Sequence, residues 1–222
     1  GPFPITLKGY SGDKTNSVKY TGQMARHILH DSLKALVKTG DVNKMIAYYN
    51  GEDDLEIIAP KSKDDFKIKQ TMVAEVGSGN LSGKTYKGAI AGWGNLTGKE
   101  VLEHMIAKAG EIDGGFDPNT GFDYTQLISK FAMGAVFYNQ AANNYLGKKM
   151  EIGQKPNSEP YKEGAYYTGK EHSWDEAFGY WGSAAHALTL SAEQNYNVAK
   201  KKDMSSADYN GDGVVDLYSE YT

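Results

Sequence analysis

"TGQMARHILHDSLKALVKTG", residues 21–40, decides what kind of fold to expect. Ala25, Ile28, Leu29, Leu33, Leu36 and Val37 recur at the three- and four-residue spacing of a single helical face. Gly40 follows the last of them and supplies a C-terminal stop. A shorter helix is expected next, over "DVNKMIAYYNG", residues 41–51.

Two more long segments carry the same period. In "LTGKEVLEHMIAKAG", residues 96–110, Thr97 and Glu100 form a capping box, and Val101, Leu102, Met105, Ile106 and Ala109 make the stripe. In "FDYTQLISKFAMGAVFYNQAANNYLG", residues 122–147, Asp123 pairs with Gln126 as a cap. Leu127, Phe131, Ala135, Tyr138 and Ala142 are its expected buried face. A fourth helix is expected over residues 173–203, with Phe178, Trp181, Ala185, Leu188 and Ala192 inward. Three lysines near its end would suit the helix dipole. The expectation is an all-α chain, a single helical domain over 1–222, built as a bundle of about four long helices with long ordered loops. Residues 52–95 lack a sustained period and read as an irregular excursion with at most a short strand or hairpin.

Composition narrows the function. The chain has 222 residues, 40% of them apolar and 23% charged, which is ordinary for a globular protein. A net charge of −4 with scattered Lys and Arg argues against nucleic-acid binding, which needs a basic face. No apolar run reaches the roughly eighteen residues of a membrane span. With no cysteine, disulfides, thiolate metal sites and cysteine nucleophiles are excluded. Sixteen tyrosines and 26 glycines suggest long, polar, ordered loops, a style common outside the cytoplasm. The start, "GPFPITLKGY", carries no signal peptide and reads as a mature N-terminus or a tag remnant.

The strongest motif is "DYNGDGVVDLYSE", residues 208–220. Asp208, Asn210 and Asp212 alternate so that their oxygens converge, and Gly213 allows a sharp turn. Val214 would offer its carbonyl, and Asp216 holds the ninth position. This is a calcium-type loop with one departure: the twelfth position is Ser219, and the closing carboxylate comes one later, at Glu220. An Asx-rich turn without an ion is the plainer alternative. The repulsion among the acidic groups favours a cation, in a structural role.

The second candidate is "HSWDEAFGYWG", residues 172–182. On a helix, His172 would share a face with Asp175 and with Glu176 and could hold a metal. Ser173-x-x-Glu176 is also a capping box, and with Ser173 as N-cap His172 would fall outside the helix. Spacing alone favours the cap.

The other histidines assemble no site by themselves. His27 and His30 border the first stripe, His104 is on the polar side of its helix, and His186 could turn inward. "GSGNLSGKTYKG" misses the phosphate-loop frame because residue 78 is Ser, not Gly. The tyrosines and Trp93 could form a glycan platform, but loop packing explains them more simply.

Five stretches together resemble the DUF4856 domain family of exported bacterial proteins. They are residues 17–37, 92–108, 121–141, 172–182 and 208–221, with H-x-W-D-E-A-F-G-Y the most specific. That family is similar to the imelysin-like, iron-regulated proteins, whose hallmark is G-x-H-x-x-E. Here Gly169 lies three residues before His172 and Asp175 stands in place of the Glu, so only His172 and Asp175 carry over. The resemblance implies an exported protein, periplasmic or at the cell surface, with a lipid anchor before processing as one route. It also implies a role in acquiring iron or another transition metal. A further C-terminal helix would come from a longer chain or from a second polypeptide completing the bundle. The leading expectation is a non-enzymatic metal-binding protein with structural Ca2+. Its alternatives are a metallohydrolase of imelysin-peptidase type and a glycan- or protein-binding surface module.

Overall fold

The structure is a computed structural model and describes residues 4–182 and 184–221. The first three positions of "GPFPITLKGY", Ser183 within the expected fourth helix, and Thr222 lie outside the described residues.

The chain is predominantly helical. Helix α1, Thr21–Leu36, buries Ala25, Ile28, Leu29, Leu33 and Leu36, so the stripe read from its period faces the core. A 3-10 turn carries the chain to Gly40, and α2, Val42–Asn50, starts where the Asp41 side chain accepts the Lys44 N–H at 2.9 Å. The single-turn helix α3, Val73–Val76, follows, and then α4, Gly98–Gly110, entered through the reciprocal Thr97–Glu100 box. A two-stranded antiparallel hairpin, β1 at Phe116–Asp117 and β2 at Phe122–Asp123, leads into α5, Tyr124–Ala132, capped by Asp123. Helix α6 is Gly169–Trp181, and α7 is Ala192–Ala199. Helix α1 is the hub, packing on α2, α3, α5 and α6. The hydrophobic core draws on residues from Met24 to Tyr221. No helix among the described residues is long and apolar enough to cross a membrane.

Two expectations change. The third helix does not keep α-helical winding: from Met133 to Tyr145 it runs as a π-helix. Its buried side chains include Tyr124, Ile128, Ala132, Val136, Phe137, Gln140, Tyr145 and, as expected, Ala135, while Tyr138 is 66% exposed. The expected stripe lay one residue off at its start, and the wider winding moved the later positions.

The fourth helix is two helices. Gly182 takes φ 72°, a left-handed conformation, and its N–H closes on the Phe178 carbonyl, so α6 stops. Ser191 and Gln194 then form a capping box that starts α7. Trp181 and Leu188, expected inside, are 79% and 97% exposed.

The excursion over 52–95 is irregular but tied down. Ser32 Oγ donates to the Ala59 carbonyl and accepts the N–H groups of Ile58 and Ala59. Arg26 Nε donates to the Asn80 carbonyl, and Val73, Val76 and Leu81 enter the core. Backbone bonds between Lys67, Lys69 and Val215 fasten this excursion to the C-terminal segment.

Candidate functional site

Helix α6 begins before His172. Thr168 is its N-cap: the hydroxyl accepts the Glu171 N–H, and the Glu171 carboxylate accepts the Thr168 N–H at 2.7 Å. Ser173 caps nothing. It is buried in the second turn and donates to the Gly169 carbonyl at 2.9 Å. The expected Ser173–Glu176 box is therefore corrected, and His172, Asp175 and Glu176 share one helical face.

On that face the carboxylates take opposite edges of one imidazole. His172 Nδ1 lies 3.3 Å from Asp175 Oδ1, and Nε2 lies 3.5 Å from Glu176 Oε2. The other carboxylate oxygens are fixed by the neighbours. Lys19 N–H donates to Asp175 Oδ2 at 2.6 Å. Gln23 Nε2 and the Tyr145 hydroxyl donate to Glu176 Oε1 at 3.1 and 3.2 Å. The rings of Tyr161 and Tyr167 close over His172, with centroids 4.7 and 5.0 Å away. Burial raises the Asp175 carboxyl to about 6, against the opposing pull of His172. Burial, reinforced by Glu176, holds the Tyr145 hydroxyl protonated far above its usual range.

A neutral imidazole carries one N–H, so it cannot donate to both carboxylates. Because the carboxylates sit on opposite edges, either edge offers His172 and a single carboxylate. The other histidines have different neighbours. His27 and His30 pack on Phe137, His104 on Trp93, and His186 on Tyr209. Among the described residues no group of three or more His, Cys, Asp or Glu side chains is placed to hold a metal.

The loop at 208–220 is wound around its own acidic side chains. Asp208 Oδ1 accepts the N–H groups of Gly211 and Asp212, and Oδ2 accepts that of Gly213 at 2.9 Å. Asn210 Oδ1 accepts the Asp212 N–H, and Asp212 Oδ1 accepts the Val214 N–H. Asn210 Nδ2 also reaches Asp212 Oδ2 at 3.1 Å. Gly211 and Gly213 both take positive φ, which the tight winding requires.

The last two acidic residues of the loop are otherwise engaged. Asp216 pairs with Lys69 Nζ at 2.8 Å and accepts from Gln70 Nε2 at 2.7 Å. Burial would raise Asp216, but these donors outweigh it and hold the carboxyl below its ordinary range. Glu220, 5% exposed, accepts the N–H groups of Tyr209, Asn210 and Asp216.

Several members of these clusters had no signal in their own sequence neighbourhood: Lys19, Gln23, Tyr145, Lys69 and Gln70. The true start of α6 did have one, because Thr168-x-x-Glu171 has the same form as Thr97-x-x-Glu100.

Fold and site together define a mainly helical protein with a polar cluster at the start of α6 and a C-terminal acidic loop. The chain belongs to the DUF4856 family, a domain of unknown function, whose profile matches residues 9–212. No curated protein and no solved structure matches it.

Proposed function

We propose that this is an exported, non-enzymatic helical protein that binds metal, with Ca2+ in the 208–220 loop as a structural ion. The observation that carries the reading is the three-fold engagement of Asp208. Its carboxylate gathers the Gly211, Asp212 and Gly213 N–H groups, which curls the loop and brings Asn210 and Asp212 to the same place. Asp208, Asn210, Asp212 and the Val214 carbonyl supply the oxygen ligands, and Ca2+ takes oxygen donors in flexible geometry. Asp216 and Glu220 join by releasing Lys69 or backbone donors, or act on the ion as nearby negative charge.

Such an ion would hold the C-terminal segment onto the excursion. Met204, Ala207, Val215 and Leu217 are buried there, and Val215 bonds to the backbone of Lys67 and Lys69. In this reading the bundle is of imelysin type, the location is periplasmic or at the cell surface, and the role is in metal acquisition or surface interaction. The edge where His172 Nδ1 faces Asp175 Oδ1 is the place for a second cation, iron or another transition metal, with Glu176 beside it.

Elemental analysis of protein purified without chelator tests this. Stoichiometric calcium, lost in Asp208→Ala, is expected. Protein that carries no calcium and takes up no terbium overturns it.

A further inference from the structure

A second cavity, unrelated to either acidic cluster, opens between α1, the π-helix and the end of α6. Its volume is about 430 Å³. Rings dominate its wall: His27, His30, Phe137, Tyr138, Tyr180 and Trp181. Among the described residues no Lys, Arg, Asp or Glu lines it.

The wall follows from local structure. Within the π-helix Met133–Tyr145, the wide turn lets the neighbours Phe137 and Tyr138 border the same space, with Met133 and Ala141 above and below. His27 stacks on Phe137 at 4.6 Å between centroids, and its Nε2–H donates to the Gly179 carbonyl at 2.9 Å. His30 Nε2 meets the Ser129 carbonyl at 3.2 Å. Both imidazoles are thus fixed by backbone acceptors.

At the end of α6 the chain runs hard against His27. A Cβ on Gly182 would stand 2.7 Å from His27 Nε2, so glycine keeps this corner open. The inner wall is the ring of Tyr180, 2% exposed. The outer rim is Trp181, 79% exposed, a large indole with little packing of its own.

We propose that this cavity is a binding site for a small, uncharged, flat aromatic molecule. Four observations select that class. The size falls within the range of small-molecule pockets and is too small for a packed helix or a second copy of the chain. The lining rings offer faces for stacking. The wall has no charge to pair with an ion, so a charged ligand would lose its hydration without compensation. The exposed Tyr138 and Trp181 carry a hydroxyl and an indole N–H at the rim, which can orient a ligand through one hydrogen bond.

Two matched probes test the site on the intact chain. N-phenyl-1-naphthylamine is neutral and aromatic; 8-anilinonaphthalene-1-sulfonate carries the same rings with a sulfonate. The neutral probe is expected to bind saturably, at least tenfold tighter than the sulfonate. Trp181→Ala, an exposed position that leaves folding intact, should weaken it about tenfold, and Ala141→Phe should abolish it by filling the cavity. Circular dichroism checks the fold of both variants. Absence of saturable binding, equal binding of the sulfonate, or unchanged affinity in folded Trp181→Ala and Ala141→Phe overturns the assignment.

Discussion

His172 Nδ1 and Asp175 Oδ1 stand 3.3 Å apart on one face of α6, both buried, and among the described residues neither has a hydrogen-bond partner of good geometry. The pair exists only because the helix starts at Gly169. Had Ser173 been the cap, His172 would have been outside the helix, and the two could not have met one turn apart.

The helix start can be tested by two substitutions. Thr168→Ala removes the N-cap and should cost about 1 kcal/mol. Ser173→Ala removes a hydroxyl inside the helix and should cost less than half of that. Chemical denaturation measures both; a larger loss in Ser173→Ala would place the cap at Ser173.

Tyr145 ties the π-helix to this cluster through Glu176. Tyr145→Phe withdraws a donor from a largely enclosed carboxylate and should cost about 1–2 kcal/mol. Glu176→Gln in the same background should add little further loss, because the two groups act together. Additive losses in the double variant would show that they do not.

His27 gives the stability a pH dependence. Burial lowers it from 6.5 to about 4, partly offset by its bond to Gly179. A lowered base binds its proton more weakly in the folded state than in the unfolded one. Its contribution is therefore complete above pH 6.5 and is lost as pH falls from there towards 4. The loss is of order 3 kcal/mol. His27→Gln keeps a donor for Gly179 but does not titrate, so its stability should fall less than the parent's between those limits. Parallel curves for parent and variant would refute the assignment.

Around the acidic loop, Lys69 and Asp216 should differ in importance. Lys69 is 57% exposed at its side chain, and an exposed ion pair contributes little, so Lys69→Ala should leave the stability almost unchanged. Asp216→Ala also deprives Gln70 and the Tyr218 N–H of their acceptor and should cost about 1–2 kcal/mol. Equal losses would mean that the ion pair alone matters.

What could be read in advance was local. The stripe of α1, the Thr97–Glu100 box and the Asp123 cap depend on residues within a few positions of one another, and the structure has each of them. What could not be read depended on contacts from afar. Thr168–Glu171 and Ser173–Glu176 offer overlapping cap frames, and the choice goes with the burial of Ser173 and the Lys19 N–H on Asp175. Two nearby glycines do opposite things. Gly179 stays within the helix and leaves room for Tyr20 and Gln23 to pack where a side chain would be, whereas Gly182 ends the helix. The wide winding after Met133 has no marker in composition; Ala135 is buried as its spacing predicts, but Tyr138 turns outward while Phe137 turns in. Within the acidic loop the alternating residues were visible, but the diversion of Asp216 to Lys69 and Gln70 was not, because those partners lie more than a hundred residues away.

The central claim is that the Asp208–Glu220 loop holds calcium. Its most direct measurement is the melting temperature of chelator-stripped, demonstrably metal-free protein, titrated with Ca2+. A saturable rise is expected, equivalent to about 2.7 kcal/mol when free calcium reaches a hundred times its dissociation constant, and absent in a folded Asp208→Ala variant. A melting temperature that does not move with calcium in the parent protein would contradict the account.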